Sequence, residues 1–127
     1  MKGPVIVIMP DGRFGTSPLE PDENGSTLKC LQRHVGGLIE HVSPRFPDMD
    51  GIDLWVNEEG KLLGLAPNPV ATALSSVFGR DVLVGPCVVA RTDAEGETQP
   101  LTPDDVGRLL LRLGGVGGHF DEEAAGK

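Results

Sequence analysis

Residues 5–9, Val-Ile-Val-Ile-Met, form an apolar, mostly β-branched run closed by Pro10-Asp11-Gly12. Such a run reads as a largely buried strand followed by a turn. A sheet must be assembled around it, and residues 13–20 read as a looser return strand. The run from Pro4 to Pro10 is too short to span a bilayer or to act as a signal core. With 127 residues the chain is the size of one domain, which buries roughly two-thirds of the surface its unfolded form exposes. It therefore needs no disulfide staple. The two cysteines, Cys30 and Cys87, fit a reduced cytoplasmic protein.

The remaining segments set the fold class. Ser26 or Thr27 can cap a helix with Leu28, Leu31 and Val35 on one stripe. Gly36-Gly37 then allows two readings. The helix continues through Leu38, Ile39 and Val42, at about 1 kcal/mol per internal glycine relative to alanine, or Gly36 caps it in the left-handed region and residues 38–42 are a strand. The second is preferred, because the alternating residues 52–56 need a neighbour and a hairpin across residues 43–51 supplies one.

Residues 57–60, Asn-Glu-Glu-Gly, read as a hairpin loop with Gly60 at positive φ, and residues 61–63 as its return strand. The Gly60-Lys61 pair is not a phosphate loop, since Trp55 and Leu62 stand where a Walker motif requires Gly and Ser or Thr. Asn68-Pro69 starts a helix whose apolar face is Val70, Leu74, Val77 and Phe78, ended by Gly79. Residues 81–90 are the most hydrophobic strand, with Pro86 implying a bulge or an edge, and residues 91–100 are a polar connection. Thr102-Pro103-Asp104-Asp105 opens the last helix with a cap, a proline and acids near the positive end of the dipole. Its stripe is Val106, Leu109, Leu110 and Leu113. The expected architecture is α+β: a mainly antiparallel sheet of about five or six strands with two or three short helices packed on it. Residues 1–113 make the domain, and the glycine-rich, acidic residues 114–127 read as a flexible tail.

The charge balance narrows the function. Eleven Lys and Arg against 19 Asp and Glu give a net charge of −8, and such a field repels phosphate backbones. With four Phe, one Trp and no Tyr, there is also little from which to build a base-stacking platform. Direct nucleic-acid binding is not expected. The scattered acids read as solubility, with mimicry of nucleic acid the less favoured alternative.

Catalytic motifs are weak. Glu58 and Glu59 are adjacent on a loop and diverge, unlike paired glycosidase carboxylates. Residues 48–53 carry three aspartates without the spacing or the closing glutamate of a calcium loop. Cys30 and His34 lie one helical turn apart, and His41 would join them only if the helix ran through the glycines, so no metal is expected. No Gly-x-Ser-x-Gly elbow and no Cys-x-x-Cys occurs. No cofactor is expected, and a small enzyme of unknown reaction ranks only as the third reading, behind two kinds of binding protein.

The remaining candidates are Asn57, Lys61, Asn68 and Arg80, which stand at a hairpin end, a helix start and a strand start. Polar groups on loops of a rigid scaffold are where binding usually resides. Taken singly, the two asparagines are turn and cap residues and the two cations are solvated. Together they are read as a rim for a partner protein or a small anionic ligand. An oligomer could also assemble a basic pocket from Lys61, Arg80, Arg91 or the last-helix arginines of two chains.

Leu31-Gln32, Val35-Gly36-Gly37, Ile39-Glu40, residues 56–62 (Val-Asn-Glu-Glu-Gly-Lys-Leu), residues 65–68 (Leu-Ala-Pro-Asn), Ala71-Thr72 and residues 81–86 (Asp-Val-Leu-Val-Gly-Pro) occur in this order. The set resembles domain-of-unknown-function family 3846 over roughly residues 5–113. Alanine stands at position 66, where many relatives are expected to carry proline. The resemblance transfers no catalytic residues. It implies a small accessory protein of actinobacterial phages or plasmids, acting in the host-cell cytoplasm and engaging a host factor for defence evasion or host takeover, with sequestration of an anionic signalling nucleotide as the alternative.

Overall fold

The computed structural model describes residues 3–125. Strand β1 (Pro4–Ile8) pairs antiparallel with β2 (Arg13–Pro18) across the Pro10 to Gly12 turn. Helix α1 (Leu28–Val35) is followed by β3 (Ile39–Val42), β4 (Ile52–Asn57), helix α2 (Pro69–Leu74), β5 (Cys87–Thr92) and β6 (Thr98–Gln99). Helix α3 (Pro103–Gly115) and β7 (His119–Phe120) complete the order. The sheet runs β3-β4-β5-β1-β2-β7, with β6 on β5, and every pairing is antiparallel except β2 with β7. The chain is α+β, as its sequence implies.

The expected burial of residues 5–9 has a simple cause. Alternate residues of β1 face opposite layers: Ile6 and Ile8 join the core under α2 and α3, while Val5 and Val7 join the core under α1. A strand covered on both faces has no solvated side, so period-two polarity disappears.

Gly36 ends α1 at φ 83°, in the left-handed region, and its N–H bonds Gln32 O. That cap turns the chain into β3, which pairs with β4 from Ile39 opposite Asn57 to Val42 opposite Leu54. The details of α1 differ from expectation. Cys30, Leu31 and Val35 form the buried stripe, whereas Leu28 is exposed. Thr27 makes no side-chain cap, and Ser26 Oγ instead accepts from Leu28 N at 3.3 Å.

Three segments differ more strongly. Residues 61–63 are not a return strand: bonds from Leu63 N to Glu59 O and from Leu65 N to Gly60 O wind residues 58–64 into consecutive turns. Gly60 is not at positive φ, a role taken by Gly64 at φ 70°. Gly60 is required for space instead, since a Cβ there would stand 2.7 Å from a Val84 methyl.

Helix α2 stops at Leu74 instead of reaching Gly79. Ser75 turns extended and bridges to Pro44, with Arg45 N bonding Leu74 O and Ser76 N bonding Ser43 O. Those tertiary bonds win over the helical spacing of Val77 and Phe78. Strand β5 likewise begins only at Cys87, so Pro86 marks its entrance and not a bulge or an edge. It continues to Thr92 and hairpins into β6 around Asp93, whose Oδ1 accepts from Glu95 N and Glu97 N. The polar connection expected at residues 91–100 is therefore partly sheet.

The capping box of α3 forms as its sequence signature implies, Asp105 N to Thr102 Oγ1 at 3.0 Å and Thr102 N to Asp105 Oδ2 at 2.9 Å. The buried Asp105 carboxylate also receives Arg91 Nε at 2.9 Å and Nη2 at 2.7 Å, and Arg108 Nη2 at 2.8 Å. These donors, Arg91 first, hold its pKa far below the usual carboxylate range. Beyond residue 113, α3 adds two residues and β7 lies against β2, with His119 N bonding Gly12 O and Asp121 N bonding Phe14 O. Phe120 meets Phe14 edge-on at 6.0 Å, and Ala125 is buried. Packing thus continues past the boundary expected at residue 113.

Candidate partner-binding groove

The four residues expected to form a rim separate into two groups. Asn57 closes β4 and is buried at 5 % exposure. Its Nδ2 donates to Val35 O at 3.2 Å and its Oδ1 accepts from Glu59 N at 2.7 Å. The side chain is thereby committed to tying the 58–64 turns to the end of α1. Asn68 has no exposure at all. Its Oδ1 caps α2 by accepting from Ala71 N at 3.0 Å, and its Nδ2 donates to Ile8 O at 3.0 Å and Gly85 O at 2.9 Å. Beside it, Thr72 Oγ1 donates to Asn68 O and accepts from Leu83 N, at 2.8 and 2.9 Å. A buried amide and hydroxyl with their partners in place fix residues 83–85 against α2 and β1.

Lys61 and Arg80 are exposed, but they do not converge. Arg80 Nη2 donates to Ser76 O at 2.8 Å, within its own turn. Lys61 ion-pairs with Asp81. That contact, followed by the Val82 N–H bond, lowers the Asp81 pKa. The pair links the 58–64 turns to the segment that Thr72 and Asn68 hold.

Between those two segments lies a cavity of about 180 Å³. Val42 and Val56 belong to its sheet side, and Leu62, Val77, Val82 and Val84 border it from the loops. Asn57 and Lys61 also border it, whereas Asn68 and Arg80 do not. Glu40, Glu58 and Asp81 supply its remaining polar lining. Leu62 is 87 % exposed and Leu38 53 %. Apolar side chains of this size left in water mark surfaces that associate when they are contiguous. Sequence reasoning missed Glu40, Asp81 and Val82, because Asp81 lies 20 residues from Lys61 and no local spacing connects them. Thr72 carried a faint signal, standing one helical turn after the cap residue Asn68.

Other candidate chemistry is dispersed. His41 sits on β3, its Nε2 2.7 Å from Asp53 Oδ1, while Cys30 and His34 lie on α1. Among the described residues, no group of three His, Cys, Asp or Glu is placed to hold a metal. Burial pushes the Cys87 thiol up to about 12, which leaves it protonated and inert as a nucleophile at neutral pH. Burial, followed by the nearby Arg33 charge, lowers the His34 pKa. Among the described residues, no helix is long and apolar enough to cross a membrane.

The ordered motifs from Leu31-Gln32 through Pro86, some of which line this groove, fall within a family match that covers residues 1–114. The chain belongs to the family described as "Domain of unknown function (DUF3846)". Residues 115–125, including β7, lie beyond the matched span. The description of DUF3846 names no reaction and no ligand. Comparison with curated proteins and with solved structures finds no match.

Proposed function

We propose that this DUF3846 protein is a non-catalytic binding protein that engages a partner protein through the groove beside β3. The observation that carries this reading is the groove's composition: an apolar sheet side and loop border, with Leu62 of that border left in solvent. The mobile-element origin implied by the family resemblance makes the partner a host factor, with defence evasion or host takeover as the outcome. An anionic nucleotide is the less favoured ligand. The groove's lysine is already neutralised by Asp81, and Glu40 and Glu58 add negative charge. Arg91, Arg108 and Arg112 are engaged by Asp105 and Asp48 and do not form a free cationic pocket.

The test is affinity purification of the tagged protein from its native host beside Leu62→Asp, with the retained material identified by mass spectrometry. A polypeptide held at constant stoichiometry by the parent, and lost by a variant with the same melting curve, is the expected result. A retained nucleotide, or equal retention by both proteins, overturns the reading.

A further inference from the structure

We infer that the open part of β3 is a docking edge for an extended, antiparallel partner segment of the pattern basic-x-apolar, which joins the sheet as an additional strand with its basic residue opposite Glu40 and its apolar residue opposite Leu38. The inference rests on the groove being a protein-binding surface and names the chemistry of its partner.

The backbone supplies the first half of the argument. Antiparallel strands bond through alternate residues, and the bond from Glu58 N to Leu38 O assigns the even residues of β3 to the β4 side. Odd residues then face outward. The continuation of the chain agrees, because Ser43 O accepts from Ser76 N and Arg45 N donates to Leu74 O on that outer side. This cover ends at Ser43. The N–H and C=O groups of Ile39 and His41 face outward with no backbone partner among the described residues. An open edge of this kind is a template for another strand.

Side chains supply the second half. An added strand places alternate residues on the same face as Leu38 and Glu40, of which Glu40 borders the groove, whereas Val42 is buried and this chain's own Ser76 and Val77 already follow the edge from Ser43 onward. A residue opposite Leu38 gains by being apolar, and the residue opposite Glu40 gains by being Lys or Arg. Glu40 has no ion-pair partner among the described residues, and Glu58 stands close by on the same rim. A net charge of −8 adds long-range attraction for a cationic segment. A second copy of this chain fits poorly. The two-fold register that satisfies Ile39 and His41 of both chains sets Glu40 against Glu40, and like charges directly opposite are destabilising.

Two synthetic probes test the pattern on the full-length, ¹⁵N-labelled protein: acetyl-Thr-Lys-Thr-Val-Thr-amide and its counterpart with Glu in place of Lys. The Lys peptide is expected to shift the Ile39 and His41 amide resonances and slow their hydrogen exchange. It should bind roughly five- to tenfold more tightly than the Glu peptide, the difference between an attractive and a repulsive cross-strand pair. Glu40→Lys, at an exposed position, should invert that preference. Unperturbed Ile39 and His41 amides at millimolar Lys peptide, equal affinity for both peptides, or a β3-mediated dimer in sedimentation each overturn the inference. Should the Leu62-dependent partner still be retained from the host, the protein-binding reading stands and only the strand-addition pattern falls.

Discussion

Substituting Asn68 separates two roles that one side chain fills. Asn68→Ala removes the α2 cap, at about 1 kcal/mol, and takes one donor each from Ile8 O and Gly85 O, at about 1 kcal/mol apiece. The sum is about 3 kcal/mol, or roughly 10 °C in melting temperature for a domain of this size. Asn68→Asp is the sharper probe. Aspartate is as good a cap as asparagine, so if capping were the whole role the variant would melt like the parent. In the structure the replaced Nδ2 points at two buried carbonyl oxygens, 3.0 and 2.9 Å away. A carboxylate there repels both. Asn68→Asp should therefore be at least as destabilising as Asn68→Ala at pH 7. The introduced carboxyl is favoured in its protonated form on folding, so its pKa is raised above the unfolded value of about 3.9. The deficit relative to the parent should be smallest below that value and grow as pH rises through the folded-state pKa. Denaturant unfolding of the three proteins from pH 4 to 8, with the parent subtracted at each pH, measures this. A parent-like Asn68→Asp at pH 7 would refute the assignment of the amide as donor to Ile8 and Gly85, and with it the anchoring of the groove's 83–85 border.

The close approach at Gly60 predicts that Gly60→Ala lowers stability through contact with Val84, and that Val84→Ala in the same chain recovers part of the loss; strictly additive melting shifts would sink the packing argument. Ending the chain after Gly117 removes the bonds from His119 N and Asp121 N and the Phe120 contact, and should cost about 2 kcal/mol in denaturant unfolding. An unchanged midpoint would restore the flexible-tail reading. Asp105→Asn should destabilise by about 3 kcal/mol at neutral pH, because Arg91 and Arg108 lose their shared anion while its buried carboxylate is removed. The folded pKa of Asp105 is depressed, so its contribution is present above the unfolded value of about 3.9 and lost as pH falls below it. The parent's stability should accordingly fall more steeply in acid than the variant's, and parallel acid limbs would contradict the network.

Local chemistry by itself determined the strand at residues 5–9, the left-handed stop at Gly36, the Asn68-Pro69 start and the Thr102 to Asp105 capping box. Each depends on groups within a few residues of one another: a β-branched run, a missing Cβ, a side-chain oxygen over its own helix end. Tertiary structure decided where those local preferences are overruled. Helix α2 ends early because Ser75 and Ser76 find partners at residues 43–45, and the 61–63 strand never forms because residues 58–64 close on themselves. Strand β5 waits until Cys87 because Leu83 N and Gly85 O are held by side chains of Thr72 and Asn68. The same distinction runs through the candidate site. Asn57 and Lys61 were legible as polar residues at a turn, but Asn68 reads as a surface cap until its amide is seen bonded to Ile8, 60 residues away. The groove exists only because contacts across 20 residues, such as Lys61 with Asp81, bring together side chains that no spacing along the chain relates.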